Sequence, residues 1–256
     1  MKPTRRLAIV ALGATALVAG CSGPSTEESS SPAAEITVFA AASLKAPFTE
    51  LGEQLEATNP GTRVNFNFAG SSDLVTQLIQ GAPGDVFASA DEKNMAKAVD
   101  GGVVAGDPVN FATNTLTIVT PPGNPKGIAS FADLAETDTT VVVCAPQVPC
   151  GSATEKVEQE TGVRLSPVSE ESAVTDVLGK ITTGQADAGL VYVTDAKGAG
   201  DAVTEVPFPE SAGVVNTYPI AVLGEAADPA AAQVFVDFVT GPQGRKVLSE
   251  AGFAAP

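Results

Sequence analysis

Two serines stand where a strand-type run gives way to a helix-type pattern. Ser43 closes Val38-Phe39-Ala40-Ala41-Ala42-Ser43-Leu44, and Ser71 lies in Phe66-Asn67-Phe68-Ala69-Gly70-Ser71-Ser72-Asp73-Leu74. Serine at such a corner can cap the helix with its hydroxyl. It can also join the free backbone N–H groups and the positive end of the helix dipole in an uncharged anion site. A catalytic use is poorly supported. The chain has no histidine to serve as a base, and a serine nucleophile needs one. Lys45 is two residues from Ser43, but neither corner serine opens a Ser-x-x-Lys motif, and Gly-x-Ser-x-Gly does not occur. The protein is therefore not expected to be an enzyme. The two tyrosines, Tyr192 and Tyr218, end or begin apolar strands. They read as half-buried residues with hydroxyls at the rim. Without histidine beside them, direct coordination of a metal is not expected.

The elements that must position these corners alternate in an α/β pattern. Strands are predicted at 36–40, 63–68, 85–88, 116–120, 140–144, 188–193 and 218–223. Helices are predicted over 44–57, around 74–79, 94–99, 152–160 and 173–181, after Asp228-Pro229, and around Val247 and Leu248. Asp228 is an N-cap with proline at N1. The strand 218–223 could pair with 116–120. Two α/β units joined by two strands suit a hinged molecule with a ligand between its lobes, at strand-to-helix corners.

The N-terminus reads as an address. Lys2, Arg5 and Arg6 precede an apolar run from Leu7 to Ala19, too short to span a membrane comfortably. Leu17-Val18-Ala19-Gly20-Cys21 looks like a bacterial lipobox. Residues 1–20 are thus expected to be a signal peptide, with Cys21 carrying a diacylglyceryl anchor. Residues 21–34 then form the lipidated cysteine and a polar tether. Cleavage leaves 11 basic against 30 acidic residues, a formal charge of −19. That excludes nucleic acid, which needs a basic face, and anionic head groups. About 220 residues remain, comfortable for two lobes. Cys144 and Cys150 form an even pair in an extracytoplasmic chain and read as a disulfide.

Read together, the corners and the run Gln77-Leu78-Ile79-Gln80-Gly81-Ala82-Pro83-Gly84-Asp85-Val86-Phe87-Ala88-Ser89-Ala90-Asp91 closely resemble the periplasmic molybdate-binding proteins of ABC importers. Gly189-Leu190-Val191-Tyr192, Tyr218-Pro219-Ile220-Ala221 and Gly241-Pro242-Gln243 extend the resemblance over nearly the whole mature chain. It implies a two-lobe type II periplasmic-binding-protein fold. Each lobe would be a mixed sheet flanked by helices, joined by a two-strand hinge. Lobe 1 would take 35–113 and 215–256, lobe 2 114–214. The ligand implied is molybdate or tungstate, with no cofactor. The family's five donor positions fall on the hydroxyls of Ser43, Ser71 (Ser72 being the adjacent alternative) and Tyr192, and on the backbone N–H groups of Cys150 and Val174. Cysteine at 150 replaces the small residue usual there. Asp73 must then point away from the anion. The implied partners are a permease with its cytosolic ATPase, reached by a monomer anchored on the outer face of the cell membrane. Sulfate or another tetrahedral oxyanion is the alternative ligand; a surface sensor or adhesin would keep the fold with another use.

Overall fold

The computed structural model describes residues 34–256. The expected signal peptide, Cys21 and nearly all of the tether lie outside the described residues. In chain order the elements are β1 (Ala34–Ala41), α1 (Lys45–Thr58), β2 (Thr62–Ala69), α2 (Ser71–Ile79), β3 (Val86–Ala88), α3 (Glu92–Asp100), β4 (Val104–Thr120), β5 (Val141–Cys144), α4 (Pro149–Thr161), β6 (Ser169–Glu171), α5 (Val174–Thr182), β7 (Ala188–Tyr192), α6 (Val193–Ala199), β8 (Thr204–Val206), β9 (Val215–Leu223), α7 (Pro229–Thr240) and α8 (Pro242–Ala251). A 3-10 turn, Ala42–Leu44, leads into α1. Among the described residues no helix is long and apolar enough to cross a membrane.

The strands run in the order β2-β1-β3-β9-β4-β7-β5-β6, with β8 also on β4. β1 is parallel to β2 and β3; β5 is parallel to β6 and β7. The two parallel sets meet through β4 and β9, which are antiparallel to their neighbours. β4 changes partner along its length. Val104 to Thr115 pair with β9, whereas Leu116 to Thr120 pair with β7 and β8. This is the two-lobe α/β fold, each lobe a mixed sheet covered by helices.

Side-chain alternation builds the cores. Val38, Ala40, Val86 and Ala88 face one side of the first lobe's sheet with Phe48 and Leu51 of α1, Phe235 of α7 and Leu248 of α8. Phe39 and Phe87 face the other with Leu74 and Leu78 of α2 and Met95 of α3. The second lobe has its own core, from Leu116 to Val214. Asp228 caps α7 by accepting from the N–H groups of Ala230 and Ala231, with Pro229 at N1, as the sequence predicts.

The structure corrects three expectations. Strand 218–223 does not pair with 116–120; it lies between β3 and the first part of β4. That part carries Gly106, Asp107 and Pro108, residues disfavoured inside a strand. The ladder absorbs them in a register shift between Ala105 and Val109, and a bulge is where proline can sit in a strand. Helix α4 begins at Pro149, not Ser152, which puts Cys150 in its first turn. The tyrosines are not half-buried at a rim: Tyr192 and Tyr218 are 1 % and 0 % exposed.

Candidate functional site

Four helical segments start at one point between the lobes. They are the 3-10 turn that leads into α1, together with α2, α4 and α5. Each leaves its first-turn N–H groups without an acceptor in its own helix. Their first residues line a common cavity: Ala41, Ala42 and Ser43 from the first corner, Gly70 and Ser71 from the second, then Val148, Pro149, Cys150 and Val174. Ala90 and Tyr192 complete the wall. All five positions implied by the resemblance are thus brought together. The cavity measures about 10 Å³. That is on the order of the space one water molecule needs, and it leaves no room for an organic solute. No lining residue carries a charge. Asp73 is exposed and outside the lining.

Neither serine acts as a side-chain cap. The capping reading is corrected because Gly70, not serine, takes the N-cap position of α2, while Ala41 takes that of the turn before α1. The hydroxyls are engaged elsewhere. Ser71 Oγ accepts from the Ala90 N–H at 3.0 Å. Ser43 Oγ shares a hydrogen bond with the Tyr218 hydroxyl at 3.0 Å. Tyr192 OH accepts from Asn216 Nδ2 at 3.1 Å, and that same nitrogen donates to the Ala90 carbonyl at 3.0 Å. A carbonyl can only accept, so the amide nitrogen is fixed as a donor and the Tyr192 oxygen as its acceptor. Ser71 and Tyr192 each keep one proton to give. Burial pushes the Tyr192 hydroxyl well above the usual phenol range, and the neighbouring Tyr218 and Asp91 push it further. Burial likewise raises Tyr218. Both remain protonated across the physiological range. Ser72 is buried too, and among the described residues its Oγ finds no partner, but it lies outside the cavity lining.

The buried carboxylate of Asp91, next in sequence to the lining residue Ala90, is engaged elsewhere. Asp91 caps α3, accepting from the Asn94 backbone at 2.8 Å and from Asn94 Nδ2 at 2.9 and 3.1 Å. Cys150 is bonded to Cys144, as the even pair suggested. The bridge ties the end of β5 to the first turn of α4. Gly151 lets this loop stay tight, since a Cβ there would overlap the Ala145 carbonyl. Sequence reading missed Ala90, Tyr218 and Asn216 as supports of the site. Asn216 carried a signal: an amide in the strand run that leads into apolar residues needs a buried partner once it is packed.

Residues 36–254 match the family model described as bacterial extracellular solute-binding protein. The molybdate-binding protein ModA of Mycobacterium bovis is 56% identical over 248 residues, spanning 97% of this chain and 93% of that protein. The ModA of Escherichia coli is 30% identical, spanning 86% of this chain and 88% of that one. Among solved structures, the periplasmic molybdate-binding protein of Azotobacter vinelandii superposes with a TM-score of 0.75 at 23% identity, covering 86% of this chain and 99% of that chain. The likeness there is one of fold. This chain belongs to the bacterial extracellular solute-binding proteins and, within them, to the ModA family.

Proposed function

We propose that this protein captures molybdate, and tungstate with it, between its two lobes and delivers it to an ABC importer. The observation that carries this reading is the uncharged cavity on which helix starts and protonated hydroxyls from both lobes converge. Ser43 and Ser71 donate from the first lobe; Tyr192 and the N–H groups of Cys150 and Val174 donate from the second. Molybdate carries no proton at neutral pH, so it only accepts hydrogen bonds. A cage of donors without an acceptor matches it and disfavours phosphate, which keeps a proton that must be donated. Sulfate, also free of protons, is the second reading. The lobes divide near 113/114 and 214/215, and closing them brings the two donor sets onto one anion. Binding then stabilises the closed form, because only that form offers both sets.

The lipobox at Cys21 supports an anchor on the outer face of the cell membrane, from which the loaded protein reaches the permease and its cytosolic ATPase. The protein acts as a monomer with no catalytic step. The Ser43→Ala, Ser71→Ala double variant tests the site. Each charge-assisted hydrogen bond contributes about 1.5–3 kcal/mol, so the variant should lose most of its molybdate affinity in calorimetry. Full binding by the double variant would remove these serines from the site.

A further inference from the structure

Gly70 is the N-cap of α2 and lines the cavity, buried between the lobes. Its backbone sits at φ −62° and ψ 139°, a conformation open to any L-residue. Its own lobe therefore does not require glycine here. The other lobe does. A Cβ at position 70 would overlap the Ser172 carbonyl oxygen and come within 3.2 Å of the Ser172 carbonyl carbon and 3.6 Å of Val148 Cγ1. Ser172 immediately precedes Ala173, the N-cap of α5, and Val148 is the N-cap of α4. The bare Cα of Gly70 is thus pressed against the two helix starts that present Val174 and Cys150 to the cavity.

We infer that Gly70 sets how closely the two lobes approach, and so positions the second lobe's donors on the anion; the inference rests on the reading of this cavity as an oxyanion site closed by lobe movement. A methyl group at 70 meets backbone rather than a pliable side-chain tip. The Ser172 carbonyl would have to retreat by about 1.5 Å to reach ordinary contact. A hydrogen bond of about 2.9 Å lengthened by that much is no longer one. The methyl group leaves the donors of the first lobe untouched, and it opposes only the closed form.

The test is Gly70→Ala in the otherwise unaltered protein, compared with wild type by calorimetry, by thermal melting without ligand, and by small-angle scattering with and without molybdate. The expected variant melts like wild type when ligand-free, binds molybdate at least about 10-fold more weakly, the loss of one charge-assisted hydrogen bond, and fails to contract to the wild-type loaded radius. Wild-type affinity together with the wild-type contraction would overturn the inference. So would a lower ligand-free melting temperature or failure to fold, because the glycine would then be needed inside its own lobe. The wild-type arm reads the underlying function separately. If wild type neither binds nor contracts with molybdate, tungstate or sulfate, the oxyanion reading itself fails and takes the inference with it.

Discussion

The hydroxyls around the cavity are held from behind. The Ala90 N–H fixes Ser71, and Asn216 fixes Tyr192. A hydroxyl that already accepts from a buried donor has its proton left for the ligand. This turns an amphoteric group into a committed donor without any charge. The same neighbourhood holds one carboxyl group under strain from burial. Asp195, in the first turn of α6, accepts from the Tyr192 N–H at 3.0 Å. Part of its side chain reaches a groove also lined by Lys45, Lys197 and Glu250, yet burial raises its pKa from 3.8 to about 7, with the Tyr192 hydrogen bond opposing. The folded state thus holds this proton more tightly than the unfolded chain does. Its contribution to stability is complete below about pH 4 and is lost as the pH rises through 7. In Asp195→Asn that loss should disappear, and melting temperature between pH 4 and 7 should fall less steeply than in wild type. An unchanged slope would show that Asp195 does not titrate in this window.

At the scale of elements, helix ends supply the attraction. Each contributes roughly half a positive charge, so four of them offset on the order of two negative charges, those of a tetrahedral dianion. The disulfide stiffens one of these ends. It closes a short loop, Cys144 to Cys150, and the chain-entropy model assigns such a loop about 2 kcal/mol. Reduction should lower the melting temperature by about 4–8 °C for a domain of this size, and should loosen anion binding through the α4 start. If both quantities stay the same after confirmed reduction, the bridge supports neither the fold nor the site. Strands and helices of the first lobe were largely legible in the sequence because their periodicity is clean, as in Leu44 just before α1 and Phe48, Leu51 and Leu55 within it. The first half of β4 was not. Its bulge at Pro108 is held by pairing with β9, a residue pairing more than a hundred positions away in the chain. The short α6, opened by Tyr192, was hidden behind the strand it follows.

Across the whole molecule, a formal charge of −16 faces the proposed dianionic ligand. The conflict is one of range. Surface charge is screened over about 8 Å at physiological salt, while aimed dipoles act at contact. The five positions proposed as donors were legible only through motifs: Ser43 and Ser71 by their corners, Cys150, Val174 and Tyr192 by family resemblance. The buried second layer was not, since Tyr218 reaches Ser43 across 175 positions of chain within the first lobe, and Asn216 reaches Tyr192 only when the two lobes are assembled. Without that layer the hydroxyls could accept as readily as donate, and the discrimination proposed above would be lost. Calorimetric titration of the wild-type protein with molybdate, tungstate, sulfate and phosphate is the direct test. The expected result is binding of molybdate and tungstate at micromolar concentration or below and none of phosphate. Absence of molybdate binding at micromolar concentration, or phosphate bound as tightly as molybdate, would contradict it.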